Sequence, residues 1–147
     1  MPEPFVIRRG WMKFMYLYTI VGAGGFGLGI VIMPELMKAT FRWPAGDPIP
    51  LGIAGSVYVA FGVLSVLGLR DPLTFAPVLL LQLCYKSVWF IAVVLPLAIG
   101  GQFPDHGLLI AAIFATYIIG DLIAIPFRYL LTRPSGTQQG AASTAAS

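Results

Sequence analysis

A lysine stands in the middle of one of the most apolar stretches of the sequence. Residues 79–96 read LLLQLCYKSVWFIAVVLP, and Lys86 is the only charged residue among them. A charge near the centre of a bilayer is expensive, so such a residue pairs with another group or faces a polar cavity. Asp121 lies in a second apolar stretch, and we predict that it compensates the lysine in an intramembrane Lys-Asp polar core.

Polar and aromatic residues accompany both charges at helical spacing. Gln82 precedes Lys86 by four residues, Trp89 follows it by three, and Tyr117 precedes Asp121 by four. Residues at these spacings share one helix face. The other side chains that we expect around this core are Tyr85, Tyr16, Tyr18, Thr19, Tyr58 and Thr116. Two interpretations remain open: a buried ion pair that defines how the helices are arranged, and a ligand, quinone-headgroup or proton site.

Composition indicates what must position these residues. Of 147 residues, 58% are apolar and 10% are charged, and the mean hydropathy is +0.86. A soluble domain has about 25% charged residues, so we predict an integral membrane protein whose surroundings are the lipid bilayer. The net charge of +3 comes from basic residues at the ends of apolar runs, which is a topology signal, and no nucleic-acid partner is expected.

Four apolar runs are long enough to cross the membrane. A helical span needs about 20 residues to cross about 30 Å of hydrocarbon. The predicted spans are residues 14–33, 51–69, 75–99 and 107–131. The fold class is therefore all-α, an integral membrane four-helix bundle within residues 1–133. The remaining residues, 134–147, are small and polar, and we predict a disordered C-terminal tail.

The distribution of basic residues predicts the orientation of the spans. If the spans alternate, six basic residues fall on the side of the termini and two on the other. The six are Arg8, Arg9, Lys13, Arg70, Arg128 and Arg133, and the two are Lys38 and Arg42. By the positive-inside rule both termini are cytoplasmic, and the expected location is the bacterial cytoplasmic (inner) membrane.

Small residues predict where the helices pack. Burial of apolar surface contributes little between helices in lipid, so small residues that allow close approach become important. Gly25 and Gly29 in the first span are four residues apart, as are Gly52 and Ser56 in the second. We predict that these four residues lie at helix–helix contacts.

Catalytic and metal-binding motifs are not found in the sequence. Cys84 is the only cysteine and His106 the only histidine, so one chain has neither a dithiol pair nor bis-histidine haem ligation. No serine has a histidine at membrane depth to activate it. We therefore predict no catalytic residue and no metal site, expect a non-enzymatic protein, and leave the cofactor unassigned.

The layout of the chain resembles the DoxX-like group of small bacterial membrane proteins. The similar features are the four spans, the glycine-rich first helix, GSVYVAFGVLSVLGLRDP at residues 55–72 and LLQLCYKSVW in the third span. The resemblance implies a four-helix protein and, for some members, association with quinone-linked oxidoreductase complexes. Two functions follow as expectations: a subunit or scaffold of a membrane complex, bound to another membrane protein or to itself as a homo-oligomer, or a compact transporter or small-ligand or quinone-binding protein.

Overall fold

The computed structural model describes residues 7–132, which form helices and no strand. The helices are α1 (Arg9–Ile32), α2 (Pro34–Phe41), α3 (Pro48–Arg70), α4 (Ala76–Ile99), α5 (Asp105–Ala124) and α6 (Phe127–Thr132). Helices α1, α3, α4 and α5 are long and apolar enough to span a membrane. The all-α class is thereby confirmed, as is the presence of four helices with the length and apolarity of membrane spans, whereas the predicted tail, residues 134–147, lies outside the described residues.

The fourth span differs most from its prediction. Helix α5 ends at Ala124, seven residues before the predicted end of that span at residue 131. Ile125 has an extended backbone with ψ of 122°, and Pro126 next to it has no N–H for a helical hydrogen bond. The short helix α6 follows this break. In the long connection between the first two spans, the structure adds another short helix, α2, which the sequence pattern did not predict.

Side-chain hydrogen bonds define the starts of two spans. Asp47 Oδ1 accepts a hydrogen bond from the N–H of Ile49 at 2.9 Å, which caps the first turn of α3. In the tight turn before α4, the carboxylate of Asp71 accepts hydrogen bonds from the hydroxyl and the N–H of Thr74. These hydrogen bonds hold the pKa of Asp71 below its ordinary value, and the one from the Thr74 hydroxyl has the largest effect.

Glycines bring α1 and α3 into close contact. A methyl group at Gly62 of α3 would lie 2.8 Å from Cα of Gly24 in α1, so the two backbones touch there. A methyl group at Gly27 would lie 2.6 Å from the carbonyl oxygen of Gly55. Helices that approach this closely gain van der Waals contacts along both backbones.

The predicted packing positions are mostly wrong in register. Nothing lies within 4 Å of a methyl group placed at Gly25 or Gly52, and Ser56 is exposed, its hydroxyl donating to the carbonyl of Gly52 in the same helix. Gly29 does lie at a contact, against the Met37 side chain of the unpredicted helix α2. Small residues do make the closest helix contacts, but between α1 and α3 these residues are Gly24, Gly27, Gly55 and Gly62.

The best-packed part of the molecule lies toward one end. We call the side that holds Arg9, Arg70 and Ala124 the terminal side, and the opposite side the loop side. The main hydrophobic cluster lies in the terminal half and is built from Met12, Met15, Tyr16, Ala76, Leu79, Leu83, Tyr117, Ala124 and Ile125. Helix α1 contacts α3, α4 and α5, and it therefore forms the centre of the arrangement.

Candidate functional site

Three helices bring polar side chains together above the hydrophobic cluster. Gln82 of α4 donates from Nε2 to Asp121 Oδ2 of α5 at 3.2 Å and to Thr19 Oγ1 of α1 at 3.1 Å. All three residues are fully buried. Thr19 donates in turn to the carbonyl of Met15 at 2.8 Å, as threonine commonly does within a helix. This network links the three helices through groups that have no access to water.

Lys86 lies one helical turn beyond Gln82 and is only 1% exposed. Its Nζ has no hydrogen-bond partner within the described residues. It lies instead over three aromatic rings, 4.1 Å from the ring centre of Tyr117, 4.6 Å from that of Tyr85 and 5.3 Å from that of Phe114. Cation–π attraction accounts for this position, but it leaves the hydrogen-bond donors of the amino group unused.

The predicted ion pair between Lys86 and Asp121 is not formed. The carboxylate of Asp121 is engaged by Gln82 through Oδ2, and its Oδ1 has no hydrogen-bond partner among residues 7–132. Tyr117 explains part of the separation between the two charged groups. Its ring lies against Lys86 Nζ, and Tyr117 precedes Asp121 by one helical turn. The charges therefore share one polar core without a direct contact.

A cavity borders the amino group. It has a volume of about 100 Å³, and Lys86 is the only charged residue in its lining. The hydroxyl of Tyr85, which also lines it, is buried and has no hydrogen-bond partner within the described residues. The remaining lining residues are Gly22, Ala23, Phe26, Tyr58, Ile110, Ile113, Phe114 and Tyr117. We call this space the inner cavity; it has an apolar wall and two unused polar groups.

A second space, the outer cavity, continues from the first. Its volume is about 260 Å³, and it shares five lining residues with the inner cavity. The shared residues are Phe26, Tyr58, Tyr85, Ile110 and Phe114, and the additional ones are Ile30, Trp43, Leu51, Ala54 and Trp89. Because Trp43 follows α2 on the loop side, the outer cavity extends from Lys86 toward that side.

The wall of the inner cavity is held in place by α1. The Tyr117 hydroxyl donates to the carbonyl of Tyr18 at 2.9 Å, and the two rings stack with their centres 4.3 Å apart. A π-helical turn follows at Ile20–Gly24, and Gly22 within it leaves the space that the Tyr117 hydroxyl occupies. A larger residue at position 22 would collide with the tyrosine. Such π-turns are often found at functional sites.

The structure gathers the predicted candidates around one location. Lys86, Gln82, Tyr117 and Asp121 are buried together, and Tyr85 is partly buried beside them. The remaining predicted residues have other contacts. Trp89 lines the outer cavity, and Tyr58 lines both cavities. The hydroxyls of Tyr18 and Thr116 share a hydrogen bond of 2.9 Å, and the Tyr16 hydroxyl donates to the Pro72 carbonyl at 2.9 Å.

Phe114 and Phe26 are among the wall residues that the sequence candidates did not include. Phe114 contributes a ring to the surroundings of Lys86, and Phe26 lines both cavities. Phe114 carried a usable signal, since it precedes Tyr117 by three residues and therefore shares its helix face. Phe26 carried a weaker signal, because it follows Thr19 by seven residues and therefore lies two helical turns away on the same face.

The donor set limits the chemistry of the site. Residues 7–132 contain no group of three or more His, Cys, Asp or Glu side chains that could hold a metal ion. The inner cavity offers an amino group and a phenol, which suit hydrogen bonding to an oxygen acceptor. The chain matches no known protein family model, no curated protein and no solved structure.

Proposed function

We propose that the protein binds, within the membrane, a small amphiphilic molecule whose polar head accepts hydrogen bonds from Lys86. The main support is the unpartnered Lys86 amino group beside the inner cavity. A buried polar group without a partner is destabilising by about 1–3 kcal/mol, and an oxygen acceptor in the inner cavity would remove that penalty. This is the ligand-binding interpretation of the polar core, and a quinone headgroup is one ligand that fits it.

Charge balance favours a neutral head. Lys86 and Asp121 together have no net charge, whether both are ionised or both are neutral, and the other residues that line the inner cavity are uncharged. A carboxylate or phosphate in the cavity would therefore be an uncompensated buried charge, which is strongly unfavourable in a medium of low dielectric constant. A carbonyl or hydroxyl oxygen accepts the same hydrogen bonds without that penalty.

Tryptophan fluorescence gives a direct test, since Trp43 and Trp89 line the outer cavity. The protein in neutral-lipid nanodiscs is titrated with a fully substituted decyl benzoquinone, which quenches tryptophan at close range, and with decanoate as an anionic comparison. We expect the quinone to quench the tryptophan fluorescence in a saturable way. A non-quenching neutral ketone of equal chain length should displace the quinone and reverse the quenching, and decanoate should do so far more weakly.

The decisive variant is Lys86→Met, with Lys38→Met as its matched control. Lys38 lies on α2, paired with Glu35 at 2.9 Å and away from both cavities. Loss of hydrogen bonds from a charged donor, about 1.5–3 kcal/mol, should weaken quinone binding about ten- to hundredfold in Lys86→Met. Equal affinity in Lys86→Met and Lys38→Met would refute the proposed role of the lysine.

The proposed setting is the bacterial cytoplasmic membrane, with the four spans as a bundle and both termini in the cytoplasm. Six basic residues against two support this orientation, and the DoxX-like layout supports the bacterial membrane. Single cysteines at Asp47 and Thr137 in a Cys84→Ser background test the orientation in intact cells. A membrane-impermeant thiol reagent should modify position 47 and leave position 137 unmodified; the reverse pattern would invert the topology.

A subunit or scaffold role is the second candidate, and one observation favours it. Gly52, Ser56 and Ala60 follow one another at four-residue spacing on α3, and Ser56 and Ala60 are exposed although small residues suit close helix contact. A second copy of the chain is the simplest occupant, because a symmetric dimer uses one face twice. In membranes of a Cys84→Ser strain, Ser56→Cys should form disulfide-linked dimers, whereas Ile91→Cys, exposed at a similar depth on α4, should not. Equal cross-linking of both would exclude this face.

A further inference from the structure

The two halves of the molecule are packed very differently. On the terminal side, Met12, Met15 and Leu79 are at most 1% exposed and fill the space between the helices. On the loop side, α4 has no buried residue beyond Lys86, and α5 has none before Tyr117. Helices α1 and α3 nevertheless stay in contact there, through Gly27 and Gly55. The α4–α5 pair therefore diverges from the α1–α3 pair toward the loop side.

The space left by this divergence is the outer cavity. It is lined by α1, α3, α4 and α5 and by Trp43 of the connection after α2. Its walls are aromatic or aliphatic, and Tyr58 and Tyr85 are the only two lining residues with a side-chain hydroxyl. A polar group would find little hydrogen bonding in this space, whereas an alkyl or isoprenoid chain would contact apolar side chains on every side.

From this geometry we infer that the ligand is a single-chain amphiphile that enters head first from the loop side. Its head then lies in the inner cavity at Lys86, and its chain occupies the outer cavity between Ala54, Trp89 and Phe114. This inference rests on the proposed function and adds the shape of the ligand and the direction of its entry. Entry from the terminal side is blocked by the hydrophobic cluster and by the Gln82–Asp121 network.

The size of the two cavities agrees with such a ligand. Volumes of about 100 Å³ and about 260 Å³ place the combined site at the lower end of the ~300–1,000 Å³ range of small-molecule pockets. The inner cavity is the smaller of the two, so the head is small and the greater part of the ligand is chain. Bulky double-chain lipids do not fit this description.

A chain-length comparison tests the inference separately from the proposed function. Two fully substituted benzoquinones that differ only in one alkyl chain, ethyl or decyl, are titrated by tryptophan quenching in neutral-lipid nanodiscs. The outer cavity is narrowed with Ala54→Phe, and Ala60→Phe on the exposed face of the same helix is the control. Ala54→Leu, a smaller change, replaces Ala54→Phe if the latter does not fold.

We expect Ala54→Phe to weaken binding of the decyl quinone about tenfold, since over-filling a packed site has a penalty of that size. The ethyl quinone should bind Ala54→Phe and Ala60→Phe equally well, because its chain ends near the inner cavity. Equal decyl-quinone affinity in the two variants would overturn the proposed chain position while leaving head binding intact. If neither quinone binds the wild type, the proposed function fails first, and the inference with it.

Cysteine labelling tests the direction of entry. In intact cells with a Cys84→Ser background, Leu51→Cys, in the first turn of α3 at the loop-side mouth of the outer cavity, should react with a charged, membrane-impermeant thiol reagent added outside, and the decyl quinone should slow that reaction. Leu79→Cys, within the closed terminal half, should stay unmodified with or without the quinone. A reaction at position 51 that the decyl quinone does not slow would overturn entry from the loop side.

Discussion

Gly62 offers the sharpest test of how the helices pack. An alanine methyl group there would lie 2.8 Å from Cα of Gly24, whereas carbon atoms in contact are about 3.5–4.0 Å apart. The neighbouring group is backbone and cannot rotate away. Helices α1 and α3 would therefore have to separate by about 0.7 Å or more at this point.

The expected free-energy change follows from two opposing terms. Over-filling a packed interior is unfavourable by about 1–3 kcal/mol, while replacing glycine by alanine within a helix is favourable by about 0.5–1 kcal/mol. Gly62→Ala should therefore lower the free energy of unfolding by up to about 2.5 kcal/mol. Gly52→Ala has the favourable term alone, because nothing lies within 4 Å of its methyl group, and it should be more stable than the wild type by about 0.5–1 kcal/mol.

The measurement is reversible unfolding in mixed micelles, with rising mole fraction of SDS and helix content followed by far-UV circular dichroism. Gly62→Ala and Gly52→Ala are compared at equal protein and total detergent concentration. The difference between the two variants should be about 1–3 kcal/mol, with Gly62→Ala the less stable. Equal stability would mean that the α1–α3 contact at Gly24 and Gly62 does not exist in the folded protein.

Three further predictions concern polar contacts. In double-mutant cycles, Gln82→Leu with Asp121→Leu should show a coupling of about 1–3 kcal/mol, since the amide of Gln82 donates directly to that carboxylate. Lys86→Met with Asp121→Asn should show a smaller coupling energy than that pair, because the two side chains do not touch. A larger coupling energy between Lys86 and Asp121 would indicate that they form an ion pair in solution. At the surface, Thr74→Val should raise the pKa of Asp71 toward its ordinary value, measured by NMR of the carboxyl carbon, because the hydrogen bonds from Thr74 lower it. Because the pKa of Asp71 is lower in the folded protein than in the unfolded chain, the ionised carboxylate stabilises the fold at any pH above the unfolded-state pKa. This stabilisation is lost as the pH falls through the folded-state pKa. Thr74→Val should therefore lose less stability on acidification than the wild type.

Composition and apolar run length were sufficient to predict the spans. A helix that crosses a bilayer must satisfy its own backbone hydrogen bonds and present about 20 apolar residues, and both conditions can be read along the chain. Depth, at 1.5 Å per residue, places Lys86 and Asp121 about one helical turn apart in height, and four-residue spacing puts Gln82 and Tyr117 on the same helix faces as these two charges. The break at Pro126 was the exception: the missing N–H was visible in the sequence, but the end of the helix at Ala124 was not.

The rotation of each helix about its axis was decided by tertiary packing. In a soluble protein the polar face of a helix marks the side away from the core, but in lipid both faces are apolar and the sequence pattern has no comparable signal. The four-residue spacing therefore favours Gly25 and Gly52, whereas the contacts are made by Gly24, Gly27, Gly55 and Gly62.

The environment of Lys86 likewise depended on the fold. The sequence alone established that a lysine and an aspartate lie at similar depth in neighbouring spans, and opposite charges at that distance suggest a pair. Whether they touch depends on which side chains lie between them, and here Gln82 takes the carboxylate while three rings surround the amino group. The outer cavity that continues from the space beside that amino group exists because α4 and α5 diverge from α1 and α3, and such divergence is a property of packed helices that no single span encodes.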